Sequence, residues 1–252
     1  MAELIIGRNA CMEALRSGRE IEKLTVLKQK DGSGRQAAPE GSLKKILGKA
    51  KDRGIPVSYA DRTSMDRIAG GQVHQGVIAY ASDYEYSSVE DLLQTAADRG
   101  EAPLLLLLDG LEDPHNLGAI MRTAECAGAH GVIIPERRSV SVNETVMKTS
   151  AGAAQYIGCA KVTNMGRTID QLKERGVWVY GCDMDGSSCF ETDLTGPAAI
   201  VIGNEGKGIS RLVREKCDFI VSIPMKGQIN SLNASNAAAI VTYEAVRQRG
   251  IR

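Results

Sequence analysis

Residues 104–126 read LLLLLDGLEDPHNLGAIMRTAEC, and this stretch decides the fold. Five consecutive leucines do not alternate as a half-exposed strand does; so short an unbroken run suits a parallel strand buried on both faces. A polar loop over 109–116 follows, then a helix over 117–127 bearing Arg122. The unit recurs downstream. Strands are expected at 131–134, 177–180, 199–202 and 219–223, and helices at 143–151, 168–175, 210–216 and 234–246. Alternation of this kind implies an α/β domain with a mainly parallel sheet over 103–252. Ligands on such sheets sit beyond the carboxyl ends of the strands. Three loops meet that condition: 109–116, 203–208 and 224–233.

Upstream, residues 1–81 alternate on a smaller scale. Helices are expected at 9–16 (stopped by Gly18), 43–51 and, as a single turn, 65–69; strands at 21–27, 55–59 and 77–81. Residues 29–42 read as a long surface loop, whose Gly32-Ser33-Gly34 lacks the strand-to-helix turn of a nucleotide fingerprint. His74 reads as a polar turn residue entering a strand. Residues 82–102 form an acidic connection with a helix over 89–99.

Composition narrows the class. The 252 residues are 43% hydrophobic and 25% charged, ordinary for a globular chain, and only 4% aromatic, too few for stacking platforms. No apolar run approaches a membrane span and the N-terminus lacks a signal pattern, so a cytoplasmic protein is expected. Six cysteines (11, 126, 159, 182, 189, 217) show no Cys-x-x-Cys spacing, and there are three histidines, so neither a metal site nor a redox pair is expected. Net charge is zero, from 31 basic and 31 acidic residues. Residues 1–67 nevertheless hold 14 Lys/Arg against 9 Asp/Glu, a face suited to a polyanion unless it is merely solvated; residues 83–101 hold 1 against 6.

The three loops carry the chemistry. Asn116 and Arg122 flank the start of a helix, where Gly118 and Ala119 leave room for close backbone approach and an Arg fork can grip a phosphate; pairing with Glu125 is the plainer reading. Gly203-Asn204-Glu205-Gly206-Lys207-Gly208 is Gly-rich with one acid but is no Walker loop. The last loop holds Lys226, Gly227, Gln228 and Asn230 and ends in Ser231-Leu232-Asn233 before a helix whose apolar stripe is Ala237, Ile240, Val241 and Ala245. Ser231 or Asn233 there suits plain N-capping or acceptor recognition.

Taken in order, these motifs resemble the SpoU (TrmH-type) RNA ribose 2′-O-methyltransferases of the SPOUT superfamily. The carrying residues are Asn116-Leu117-Gly118-Ala119-Ile120-Met121-Arg122-Thr123-Ala124, Ile202-Gly203-Asn204-Glu205-Gly206-Lys207-Gly208, and Ile223-Pro224-Met225 with Ser231-Leu232-Asn233. Lys148-Thr149-Ser150-Ala151-Gly152-Ala153 is similar too, and Gly7-Arg8-Asn9 with His74-Gln75-Gly76 make 1–81 resemble the family's ribosomal-protein-L30e-like RNA substrate-binding domain. The resemblance implies a C-terminal trefoil-knotted domain, an S-adenosylmethionine cofactor, a homodimer and an RNA substrate, with no DNA or membrane partner. By motif it assigns Arg122, Asn116, Glu205, Ser231 and Asn233 to catalysis, and Gly203, Ile223, Leu232 and Cys182 to the cofactor. Members often carry Thr where Cys182 stands, and Asn236 replaces a small apolar residue.

Within that family the motifs most resemble 23S rRNA guanosine 2′-O-methyltransferases, so the resemblance implies a guanosine of 23S rRNA as target; a tRNA or another rRNA position is the alternative. Two other classes compete. A catalytically silent RNA-binding protein of the same fold would separate by a methyl-transfer assay. A nucleotide-phosphate enzyme using 203–208 lacks a P-loop Lys-Ser/Thr and an acid pair for metal. Within the resemblance, the family's usual base is Arg122, but an arginine stays protonated near neutrality; clamping a phosphate that itself accepts the hydroxyl proton is the chemically safer role, with Glu205 orienting Arg122 or nearby donors.

Overall fold

The computed structural model describes residues 3–17, 19, 21–28, 39–81, 84–229 and 231–250. Gly18, the Gly32-Ser33-Gly34 stretch with most of the expected 29–42 loop, and Asn230 lie outside the described residues. The chain divides into two compact units, 1–84 and 85–252.

The first unit runs β1 (Glu3–Ile6), α1 (Arg8–Arg16), β2 (Ile21–Leu27), α2 (Gly41–Asp52), β3 (Val57–Ala60), α3 (Arg62–Ala69) and β4 (Val77–Ala81). Its sheet order is β1-β4-β2-β3, antiparallel except for the β2–β3 pair. One core packs Cys11, Leu15, Leu24, Leu43, Ile46 and Val77. α3 is two turns rather than one, because Asp61 caps it by accepting from Ser64 N (2.8 Å). His74 is buried: its Nδ1 accepts from Gly76 N (3.0 Å) and its Nε2 faces Asp66 (3.0 Å), so it holds the turn into β4.

The second unit runs α4 (Val89–Asp98), β5 (Leu104–Asp109), α5 (Pro114–Cys126), β6 (Gly131–Pro135), α6 (Glu144–Thr149), β7 (Cys159–Val162), α7 (Met165–Glu174), β8 (Trp178–Ser188), β9 (Ala198–Gly203), α8 (Arg211–Arg214), β10 (Phe219–Ser222) and α9 (Ala234–Arg249). All pairings in its six-stranded sheet, β10-β8-β9-β5-β6-β7, are parallel. The leucine run lies central between β9 and β6, all five side chains fully buried, each worth about 1.5–3 kcal/mol of burial. Among the described residues no helix is long and apolar enough to cross a membrane.

Two departures from the sequence reading shape the site. α5 begins at Pro114, not at 117, because Asp113 caps it (Oδ1 accepts from His115 N, 2.9 Å) and Pro114 suits the first helical position. Asn116 therefore stands in a helix, not in a loop. β8 runs eight residues beyond Tyr180. Its register with β10 jumps from Ile220↔Gly181 to Val221↔Ser187, so residues 182–186 bulge out of that ladder.

Candidate active site

Side chains from the three sequence motifs meet in one chain of hydrogen bonds. Asn116 Nδ2 donates to Glu205 Oε1 (3.0 Å), and Asn233 Nδ2 donates to Asn116 Oδ1 (2.9 Å). Asn233 also caps α9: its Oδ1 accepts from Ser235 N (2.8 Å) and Ser235 Oγ (2.6 Å). The backbone N–H of Ser235 can only donate, so it fixes the amide of Asn233. That fixes the amide of Asn116, whose NH₂ must then face the Glu205 carboxylate. Asn116 is buried, while Glu205 and Asn233 are exposed. Capping and site-building are thus one role for Asn233. Ser231 does not cap the helix.

Beside this chain lies a cavity of about 610 Å³. Its walls are Cys182–Met184 from the β8 bulge, Ile202–Gly208 at the β9 exit, Ser222–Met225 after β10, and Ser231, Leu232, Ala234 and Ala237. All four residues assigned by resemblance to the cofactor, Gly203, Ile223, Leu232 and Cys182, line it, as do Glu205 and Ser231. No residue of 109–122 does. The 109–113 loop acts from behind, where Asn204 Nδ2 donates to Gly110 O (2.8 Å).

Asn204, quoted in the Gly-rich motif without a role of its own, builds the Gly-rich loop. Its Oδ1 accepts from Gly206 N (3.0 Å) and Lys207 N (3.2 Å), and its backbone exchanges bonds with Gly208 (3.0 and 2.9 Å). This asparagine signature at a turn was legible in the sequence. Gly203 is required: a Cβ there would lie 2.2 Å from Gly208 C and 2.3 Å from Ile209 N. Gly118 does give close approach, but to α6, since a Cβ would lie 2.7 Å from Thr149 Cβ. Arg214 on α8 pairs with Asp183 and with Asp185 (2.8 Å), pinning the bulge that walls the cavity. Burial pushes the Cys182 thiol up to about 12, which keeps it neutral and makes it wall rather than nucleophile.

Arg122 does not join the group. Six residues past Asn116, it points about 120° away around the helix axis. It is exposed, and makes no hydrogen bond or ion pair among the described residues, with Glu125 or Glu205. Glu205 meets Asn116 instead. The stripe of α9 is also shifted: Ala234, Ala238, Val241, Thr242 and Ala245 are buried, and Ala237 and Ile240 only partly.

The SpoU rRNA Methylase family matches residues 103–243, and the family described as RNA 2′-O ribose methyltransferase substrate binding matches 4–87. The chain belongs to the SpoU/TrmH family of RNA methyltransferases. It is 45% identical over 248 residues to YacO of Bacillus subtilis, assigned by name to the TrmH family of tRNA/rRNA methyltransferases, covering 98% of this chain and 96% of that one. A TrmH-family relative in Staphylococcus haemolyticus is 44% identical with the same coverage. The SpoU methyltransferase AviRb of Streptomyces viridochromogenes, solved with AdoMet, superposes with a TM-score of 0.61 at 26% identity, over 98% of this chain and 90% of that one. The TrmH/SpoU tRNA-modifying enzyme of A. aeolicus gives 0.55 at 30% identity, over 59% and 76%.

The family's cofactor is S-adenosylmethionine, and the residues present fit it. The cavity has small-molecule size and walls of mixed polar and apolar residues, and one wall is largely backbone because Gly203, Gly206 and Gly208 carry no side chains.

Proposed function

We propose that this SpoU/TrmH methyltransferase methylates the ribose 2′-oxygen of a guanosine in 23S rRNA. The observation that carries the reading is the Glu205–Asn116–Asn233 chain, which joins all three motifs at the edge of the cofactor-sized cavity. Relatives bear names covering both tRNA and rRNA; the motif resemblance and the description of the matched family, SpoU rRNA Methylase, support the rRNA side.

Gly203, Ile223, Leu232 and Cys182 hold the cofactor, which supplies a methyl group on a positively charged sulfur. Ser231 and Asn233 orient the target ribose at the cavity rim, and Asn116 keeps Asn233 and Glu205 in register. Arg122, which has no partner among the described residues, clamps a phosphate of the RNA. That phosphate, and not the guanidinium, would accept the proton of the 2′-hydroxyl. Orientation and proton removal are the chain's share of the catalysis.

The first unit, residues 1–81 of the sequence reading, selects RNA, and the second carries a C-terminal trefoil knot. The enzyme works as a homodimer through the alanine-rich α9, whose Tyr243 is exposed; a monomer in sedimentation at micromolar concentration would count against this. The function is tested by mapping ribose methylation in RNA from cells with and without the protein. Loss of one 23S guanosine mark is expected. An unchanged rRNA map with a lost tRNA mark would move the target to tRNA.

A further inference from the structure

The sheet brings a second feature to the same edge. β9, β5 and β6 are neighbours and parallel, so the segments after them, 203–208, 110–113 and 136–140, all leave at the carboxyl end. They are tied together: Asn204 Nδ2 donates to Gly110 O (2.8 Å), while Val140 N and Ser139 Oγ both donate to Leu111 O (2.7 and 3.1 Å). The segment after β6 carries Arg137 and Arg138. Both are exposed, and neither forms an ion pair or hydrogen bond among the described residues. Arg138 also holds a left-handed backbone, φ 56°, where a side chain is strained and glycine is not. Strain alone carries no function, since Ala151 shares it (φ 51°) with no side chain to place. Here it coincides with two adjacent exposed arginines, without a side-chain partner among the described residues, on a segment tied through Leu111 and Gly110 to the loop that carries Glu205.

We propose that Arg137 and Arg138 form a phosphate-binding site for the RNA backbone flanking the target nucleotide. The inference rests on the RNA methyltransferase reading and adds a contact site on the second unit. Guanidinium forks match phosphate oxygens two at a time, and an arginine without an internal partner needs no ion pair broken first. Contacts of this type position RNA without reading bases.

The test compares the full chain with Arg137→Gln, Arg138→Gln and Arg138→Gly. RNA binding is measured across a salt series, with an unmethylated 23S rRNA transcript and a bulk tRNA transcript as probes; S-adenosylmethionine affinity and thermal midpoint are read alongside. Each variant should bind both RNAs more weakly, and the slope of log affinity against log salt should shallow by about 0.7–0.9 per arginine lost. Cofactor affinity should stay unchanged. Arg138→Gly should keep or raise the thermal midpoint, because it relieves the left-handed strain. Wild-type affinity and salt slope in the variants would overturn the proposal, as would a lower midpoint in Arg138→Gly with unchanged RNA binding, which would make the arginine structural. Failure of the wild-type chain to bind or methylate either RNA would instead overturn the RNA reading on which the proposal rests.

Discussion

Replacing Asn116 with alanine removes the buried side chain that links the three motifs. It deletes a hydrogen bond to a carboxylate, worth about 1.5–3 kcal/mol, and one between neutral amides, worth about 0.5–1.5 kcal/mol. Glu205 and Asn233 are exposed and regain water, so the net loss should be about 1–3 kcal/mol. For a unit of this size that lowers the thermal midpoint by about 3–10 °C. The catalytic effect should exceed the structural one. With Asn233 in its proposed ribose-orienting role, its release by even about 1 Å should slow single-turnover methyl transfer on the order of 100-fold, while cofactor affinity changes little because Asn116 does not line the cavity. Asn116→Asp sharpens the test. It places a second carboxyl about 3 Å from Glu205, a repulsion of about 5 kcal/mol at an effective dielectric of 20. Like charge raises the folded pKa of the new carboxyl above its unfolded value. The variant should therefore be most destabilised at pH 8 and recover as pH falls through that raised pKa. Calorimetric scans from pH 4 to 8 and rapid-quench assays give both readouts. Wild-type midpoint and rate in Asn116→Ala would refute the reasoning.

Other outcomes follow from the same geometry. Arg122→Ala should abolish turnover yet leave S-adenosylmethionine binding intact in calorimetry, and Arg122→Lys should rescue little, since a point charge lacks the fork. His130 is buried, and its Nδ1 accepts from Leu104 N (3.0 Å), so the proton sits on Nε2 facing Glu101 (3.1 Å). Burial holds its pKa below the ordinary value, so its contribution is complete above about pH 6.5 and is lost as pH falls through the folded pKa. The wild-type midpoint should fall on acidification from pH 7, and the profile of His130→Asn should be flatter. A chain beginning at Glu85 should still bind S-adenosylmethionine but lose RNA selectivity; if it folds and loses cofactor affinity, the division of labour is wrong.

Much of this was legible in the chain. The leucine run decided the class because only burial on both faces tolerates it, and the three loops were found because a parallel sheet sends its strand exits to one edge. What escaped the reading depends on partners distant in sequence. β7 (CAKV) has too little apolar pattern to stand out and exists by pairing with β6. The polar end of β8 is strand only because β10 pairs with Ser187 and Ser188, and the bulge before it depends on Arg214, over twenty residues downstream. Asn116 was misplaced into a loop although the Asp113-Pro114 signal was present, because the polar run 109–116 outweighed it. The link from Asn116 to both Glu205 and Asn233 spans separations that no local pattern reports.

The central claim is methyl transfer to a ribose oxygen, and alkali tests it most directly. A 2′-O-methyl group blocks alkaline cleavage of the adjoining phosphodiester, whereas a base methyl does not. A 23S rRNA transcript methylated by the enzyme with methyl-labelled S-adenosylmethionine, then hydrolysed in alkali, should release the label in an alkali-resistant dinucleotide beginning with guanosine. A transcript carrying 2′-deoxyguanosine at that position should bind and take no label. Label recovered in mononucleotides, or incorporated into the deoxy transcript, would contradict the account.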